Sequence, residues 1–352
     1  MSREHKSVAF SFSRERRKAT SRKTVLNISI GLITAITILS VSLPELQAAD
    51  EIKLGVLSTA GDHWPRWVAW EQGYFKEQNL EVREFQTDSI AKAVQALSAN
   101  STDLMFPANT EGLITAITKG APMKIVAGNF TKALYDLITG PKYKKVEDLK
   151  GTTMGVINLE SGSTVLLQKI LLAHGLKYPD DYDILTIGGT PARYAAVKKG
   201  AVAAAMVTIP TSYEAKEDGL NVLANIATYL PDYQFTVIAG HTKWMESHKD
   251  QTIRFLMAMI KAMRFINDPK NKEASIQAMV KHFKIGRKHG EMAYKEVVEQ
   301  IRPIRNDAAP SIKGIETVIS LQVENKGLAK SYPATTFIED SYRQEALKRL
   351  GG

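Results

Sequence analysis

From residue 51 the chain alternates short β-branched runs with segments of helical period. Strand-like runs at 52–57, 80–85, 103–106 and 123–127 are separated by helix-like runs at 65–70, 89–97 and 110–118. After Lys150 the rhythm returns, with strands at 153–157, 182–187 and 203–207 and helices after each. Parallel strands cannot be joined by tight hairpins and need a crossover, so strict strand–helix alternation forces a mostly parallel sheet with helices on its faces. Two such runs predict an α/β chain of two lobes, each a mostly parallel sheet flanked by helices, with a ligand cleft between the lobes. In such sheets ligands meet the loops at the carboxyl ends of the strands. The expected boundaries are a leader at 1–48, a first lobe at 50–142 and 235–352, and a second lobe at 143–234. The chain is expected to cross between lobes near 143–150 and 230–234, since no low-complexity linker divides it.

The stretch 146–176 carries the sharpest local signal. A strand at 153–157 runs through Ser161-Gly162-Ser163-Thr164 into Val165, Leu166, Ile170 and Leu172 at helical spacing, closed by Gly175, a good residue just past a helix end. A strand feeding a small hydroxylated turn and then a helix leaves free backbone N–H groups and a positive dipole end at the strand's carboxyl edge. That suits an oxyanion. Plain helix capping with no ligand remains equally open at this point.

Candidate ligand groups follow from the loops. Ser161, Ser163 and Thr164 would hold an oxyanion, and Asn109, Thr110, Asn129 and Thr190 would add directional hydrogen bonds. His63 and Trp64 close the first strand-end loop, where Trp64 could cover an apolar or aromatic body. Thr87 and Thr208 stand at two further strand ends. Arg66 and Arg193 lie nearest the expected pocket loops; either could grip a carboxylate or sulfonate in bidentate fashion, or lie on a solvated helix face. Trp67, Trp70 and Tyr74 are expected to pack the first helix on its sheet, and the Met257 and Met263 stripe at 253–266 reads as core. Removing the Ser163 and Thr164 hydroxyls is expected to weaken binding by roughly ten- to a thousandfold if they hold the ligand, because charge-assisted hydrogen bonds are worth about 1.5–3 kcal/mol each.

The N-terminus bears on compartment. Arg14, Arg16, Arg17, Lys18, Arg22 and Lys23 precede an uncharged apolar run at 25–43, and small residues follow at Ala48-Ala49. This is the order of a cleavable export leader, cut after Ala48 or Ala49, although the run approaches the length of a membrane anchor. The leader holds eight of the 46 Lys/Arg and three of the 37 Asp/Glu, so the formal charge of +9 falls to about +4 without it. The basic balance therefore gives no footprint for nucleic acid.

Several chemistries are excluded by residue type. The chain has no cysteine, which removes thiol catalysis, cysteine-bound metals and disulfides. Its seven histidines form no His-Glu-x-x-His pattern, and neither a Gly-x-Ser-x-Gly elbow nor a Gly-x-x-x-x-Gly-Lys phosphate loop is present. No metal, cofactor or catalytic residue is expected.

Across about residues 50–345 the chain resembles the periplasmic solute-binding proteins of ABC importers, in the nitrate/sulfonate/taurine-type branch that shares its fold with thiamine-pyrimidine synthases. The residues that carry the resemblance are Trp70-Glu71-Gln72-Gly73-Tyr74-Phe75, Ala96-Leu97 leading to Thr102-Asp103, and the run from Lys119-Gly120-Ala121-Pro122 to Val126. Glu147-Asp148-Leu149-Lys150-Gly151, Ala196-Val197-Lys198-Lys199-Gly200, Pro210 and Gly327-Leu328 continue it. The resemblance implies a type II periplasmic binding protein fold and a small, anionic organic solute such as a sulfonate or carboxylate. It also implies a permease with its ATPase at the inner membrane as partners, a monomeric periplasmic protein, and no enzyme activity. Ala203 and Ile209 stand where the family often carries acidic residues, making the second-lobe lip less acidic. The alternatives are a pyrimidine-precursor binder or synthase-like enzyme, for which His63 fits but the cysteine-rich iron motif is missing, and a periplasmic ligand sensor.

Overall fold

The structure is a computed structural model that describes residues 48–57, 60–87, 89–159 and 161–351. The expected export leader lies outside the described residues. Among the described helices none is long and apolar enough to cross a membrane.

Among the described residues ten strands form two five-stranded sheets. They are β1 (Asp50–Val56), β2 (Leu80–Gln86), β3 (Leu104–Asn109), β4 (Met123–Gly128), β5 (Tyr135–Thr139), β6 (Thr152–Val156), β7 (Tyr182–Thr186), β8 (Ala204–Thr208), β9 (Asn221–Asn225) and β10 (Thr236–His241). The first sheet runs β2-β1-β3-β10-β4 and the second β7-β6-β8-β5-β9. Both begin alike: β1 pairs in parallel with β2 from Asp50↔Leu80, and β6 with β7 from Thr152↔Tyr182. Each sheet is mixed, because one strand enters against the direction of its neighbours, β10 beside β3 and β4 and β5 beside β8 and β9.

The lobe boundary differs from the expected one. Tyr135–Thr139 pairs with β8 and β9 in the second sheet, so the chain crosses at 129–134 rather than at 143–150. The rhythm hid this strand because no helix separates β4 from β5, and β9 likewise escaped it. The return crossing precedes β10, and the two crossings lie side by side. Asn129 N donates to Thr236 O at 3.0 Å and Phe235 N to Phe130 O at 2.9 Å. Such a paired, short double crossing is the natural hinge between two lobes.

The helices start where their sequences say. Asn109 Oδ1 accepts from Gly112 N at 2.8 Å to cap Thr110–Thr118, Ser89 Oγ caps Ile90–Ser98, and Pro65 and Pro191 sit in the first turns of Trp64–Glu71 and Thr190–Lys198. Gly162–Ala173 ends at Gly175, whose φ of +79° is the left-handed conformation that glycine adopts without cost. Beyond β10 the chain is helical. The long helix Lys249–Asn267 buries Ile253, Leu256, Ile260 and Met263 and leaves Met257 half-buried, so the methionine stripe is core.

Candidate functional site

The strand ends of the two sheets meet across a cleft. The turn Gly61–His63 after β1 reaches the opposite lobe: a Cβ at Gly61 would sit 3.0 Å from Ile209 O. Beside it Asp62 is only 5% exposed. Asn129, at the start of the first crossing, is also buried and donates its Nδ2 to Asp62 O at 2.9 Å and to Thr236 Oγ1 at 3.0 Å. The acceptor atoms Asp62 Oδ1 and Asn129 Oδ1 are buried without a hydrogen-bond partner. Burial pushes the Asp62 carboxyl up to about 6, opposed by a hydrogen bond from Thr236 and by the Arg66 charge.

On the second lobe the matching feature is a cation. Arg193, in the first turn of Thr190–Lys198, is 1% exposed. Its Nη2 donates to Thr190 Oγ1 at 3.3 Å, while Nε and Nη1 have no hydrogen-bond partner. No carboxylate pairs with it among the described residues; burial lowers its pKa, and only the Tyr135 hydroxyl opposes this. A buried charge without a counter-charge is costly, and such groups are retained where a ligand supplies the missing partner. Tyr135 opens β5, and burial raises its hydroxyl to about 12, with Arg193, Asp62 and Glu111 all acting on it.

The third feature bridges the lobes. Glu111, in the first turn of Thr110–Thr118, lays its carboxylate against Gly162 at the start of Gly162–Ala173. Tyr233, in the return crossing, donates its hydroxyl to Glu111 Oε1. Glu111 is half-buried, and burial raises its carboxyl to about 7 against the hydrogen bond from Tyr233. Elsewhere the lobes are joined by Lys169 to Glu324 at 2.7 Å, Tyr213 Oη to Glu296 Oε2 at 2.6 Å and Lys288 to Glu217 at 2.6 Å.

The expected site residues divide. Asn129 bonds the Asp62 carbonyl oxygen and Thr190 accepts from Arg193. Ser161, Ser163 and Thr164 lie at the helix start, but their hydroxyls serve the turn. Ser161 Oγ lies 3.2 Å from Ser163 Oγ and 2.8 Å from Thr164 Oγ1, and Thr164 Oγ1 donates to Asn158 O at 2.6 Å. Asn109 is spent as a helix cap, Thr110 bonds Phe235 O at 3.2 Å, and Thr87 bonds Val56 O and Ser89 O within its turn. Thr208 ends β8 and is buried.

Trp64 does not cover a ligand. It is fully buried, its indole N–H donates to Ser275 O at 2.9 Å and its ring meets Tyr294 edge-on, so it ties the first helix to the C-terminal helices. His63 is buried and stacked on Trp67 at 5.9 Å between ring centroids. The solvated alternative for the arginines is corrected, since both are buried. Arg66 is paired with Glu84 at 2.7 Å although its Nε and Nη1, like those of Arg193, lack a well-directed hydrogen bond; Arg193 differs in having no carboxylate partner among the described residues. Sequence reasoning passed over Asp62, Glu111, Tyr135 and Tyr233. The first two sit in or beside strand-end loops, and that position was the available signal.

A cavity of about 380 Å³ is lined by Asp136, Tyr213, Asn225 and Glu296 among others, and so also lies where the lobes meet. In it Asn225 Nδ2 donates to Asp136 Oδ1 at 2.8 Å and Tyr213 to Glu296, while Ser212 Oγ is buried without a hydrogen-bond partner.

A family model described as "NMT1/THI5 like" matches residues 60–274. No curated protein matches the chain in sequence. Solved structures do match in shape. The periplasmic nitrate-binding protein NrtA from Synechocystis PCC 6803 is 17% identical, with a TM-score of 0.74 over 86% of this chain and 89% of that one. The alkanesulfonate-binding protein SsuA from Xanthomonas axonopodis pv. citri, bound to MOPS, is 16% identical, with a TM-score of 0.66 over 83% and 98%. A Candida albicans protein described as exhibiting the generic periplasmic binding protein structural fold is 18% identical, with a TM-score of 0.63 over 82% and 96%. The likeness establishes that fold: two lobes, each a mixed α/β sheet flanked by helices.

Proposed function

The chain belongs to the NMT1/THI5-like family, and from that premise we propose that it is the solute-binding component of an ABC importer. It captures a small organic solute bearing an anionic group in the cleft between its lobes and delivers it to a membrane permease and its ATPase. The observation that carries this reading is Arg193, a guanidinium 1% exposed with Nε and Nη1 unpaired. An anionic ligand group supplies its counter-charge, and a hydrogen bond to a charged group is worth about 1.5–3 kcal/mol. Contacts to the second lobe through Arg193 and to the first through Asp62 and Asn129 would be made together only when the lobes are closed. That difference is the free energy by which a ligand closes a two-lobed protein.

The nitrate and alkanesulfonate named for the structural relatives support the anionic class. The basic-then-apolar order of the first 49 residues supports export to the periplasm, where the protein would act as a monomer. The synthase-like alternative requires a cysteine-rich motif that a chain without cysteine does not carry.

The test is native mass spectrometry of protein purified from its own host. A co-purified solute with an acidic group, present in the parent and lost in Arg193→Gln, supports the reading. Equal retention in both, or no solute in either, overturns it.

A further inference from the structure

One helical run of the first lobe ends at the hinge and touches the second lobe along its length. Arg287–Tyr294 continues into Lys295–Ile301, a wider π-helix in which Arg302 N reaches back to Val297 O at 2.8 Å. The run is fixed to the first lobe: the Tyr294 ring meets Trp64 edge-on and its hydroxyl donates to Ile266 O at 3.4 Å. Its last residue lies on the first crossing, where Lys132 Nζ donates to Ile301 O at 2.8 Å and Thr131 N to Pro303 O at 2.9 Å.

Away from that end the run faces Thr211–Glu217, a second-lobe helix whose Ala215 is buried with Ile138, Ala205 and Val207 of the second sheet. Part-way out, Glu296 Oε2 accepts from Tyr213 Oη at 2.6 Å, and Tyr213 is buried. Further out, the Glu217 carboxylate lies 2.6 Å from Lys288 Nζ and 3.0 Å from the buried His289 Nε2. At about 1.5 Å per residue, these two contacts stand roughly 8 Å and roughly 18 Å from the hinge. A rotation about the crossings leaves the Ile301 end in place and carries the outer partners out of hydrogen-bond range. The exposed pair of Lys169 and Glu324 is screened by solvent and holds little. Breaking the Tyr213 contact instead leaves a polar group of a buried side chain unpaired, which is costly.

We propose that this line of contacts is a latch: Tyr213 and Glu217 hold the second lobe against the helical run 287–301 of the first and bias the hinge towards the closed arrangement before a solute binds. This rests on the solute-capture reading and adds residues that set affinity without touching the solute. Free energy that the latch contributes to closing is not demanded of the ligand, so the binding-competent arrangement is more populated.

The chain has no cysteine, so two introduced cysteines report the distance between the lobes. Gln277→Cys in the first lobe and Lys199→Cys in the second, both exposed, carry spin labels for pulsed electron paramagnetic resonance on protein stripped of solute by unfolding and refolding. Tyr213→Phe/Glu217→Gln is expected to move the main distance outward by roughly 5 Å or more, as opening on a lever of this length requires. Lys150→Gln, which breaks a 3.0 Å ion pair with Asp181 inside the second lobe, is expected to leave it unchanged. Should the double variant fail to fold by circular dichroism, Glu217→Gln alone, at an exposed position, should move the distance in the same direction. An unchanged or shorter distance overturns the inference, as does the same outward shift in Lys150→Gln. The measurement uses no solute, so its failure leaves the solute-capture reading standing; that reading falls on the retention of host solute by Arg193→Gln.

Discussion

The Glu111 carboxylate of one lobe rests on Gly162 of the other, in the space that a Cβ at Gly162 would take. A methyl group at this helix start would have to turn the end of the Glu111 side chain aside. Gly162→Ala is expected to displace Glu111, separate it from Tyr233 and part the lobes at this contact. Small-angle scattering of the ligand-free variant should show a larger radius of gyration than the parent; an unchanged profile would mean that Glu111 does not close the cleft.

The hydroxyls at 161–164 are committed to their own turn, with Thr164 Oγ1 bonded to Asn158 O at 2.6 Å. Ser163→Ala/Thr164→Val is thus expected to lower stability by about 0.5–2 kcal/mol, the size of a lost cap, and to leave affinity within threefold. This replaces the much larger loss of binding expected from the sequence alone. A thermal melt with a ligand titration decides, and a tenfold loss of affinity at unchanged melting temperature would return the hydroxyls to the ligand.

Asp62 and Glu111 give the stability a pH dependence of definite sign. Burial raises them to about 6 and about 7, above their ordinary values of 3.8 and 4.5, so the folded chain binds more protons than the unfolded chain in between. Stability contributed by these groups therefore falls as pH rises from about 4 through 6 for Asp62 and from about 4.5 through 7 for Glu111. For Asp62 the change is on the order of 3 kcal/mol. Melting temperatures at pH 5 and pH 8 should differ less in Asp62→Asn than in the parent, and equal differences would contradict the assignment. Tyr233 and Tyr135, the titratable groups facing Glu111, are both raised by burial and stay protonated throughout this range.

Much of the scaffold was legible because alternation and capping are local. Thr110–Thr118 was placed to the residue, since Asn109 caps it and Lys119-Gly120 ends it. β5 was not legible: Tyr135–Thr139 joins a sheet whose other members follow it by many residues, and no helix announces it. The helix start at Gly162 was readable, but its occupant comes from 51 residues upstream in the other lobe, which no local pattern encodes. Arg193 was a candidate whose burial could not be read, because Thr190–Lys198 buries only Arg193 and Val197 and so carries no apolar stripe. Trp64 was misassigned for a related reason: its partners Ser275 and Tyr294 lie more than 200 residues away.

Arg193 carries the central claim, so its removal is the most direct measurement. With the host solute identified, titration calorimetry on the parent and on Arg193→Gln, both checked for folding, compares one lost charge-assisted contact. At about 1.4 kcal/mol per tenfold, and about 1.5–3 kcal/mol for each such bond, the dissociation constant is predicted to rise by roughly ten- to a thousandfold. A dissociation constant within threefold of the parent would contradict the account.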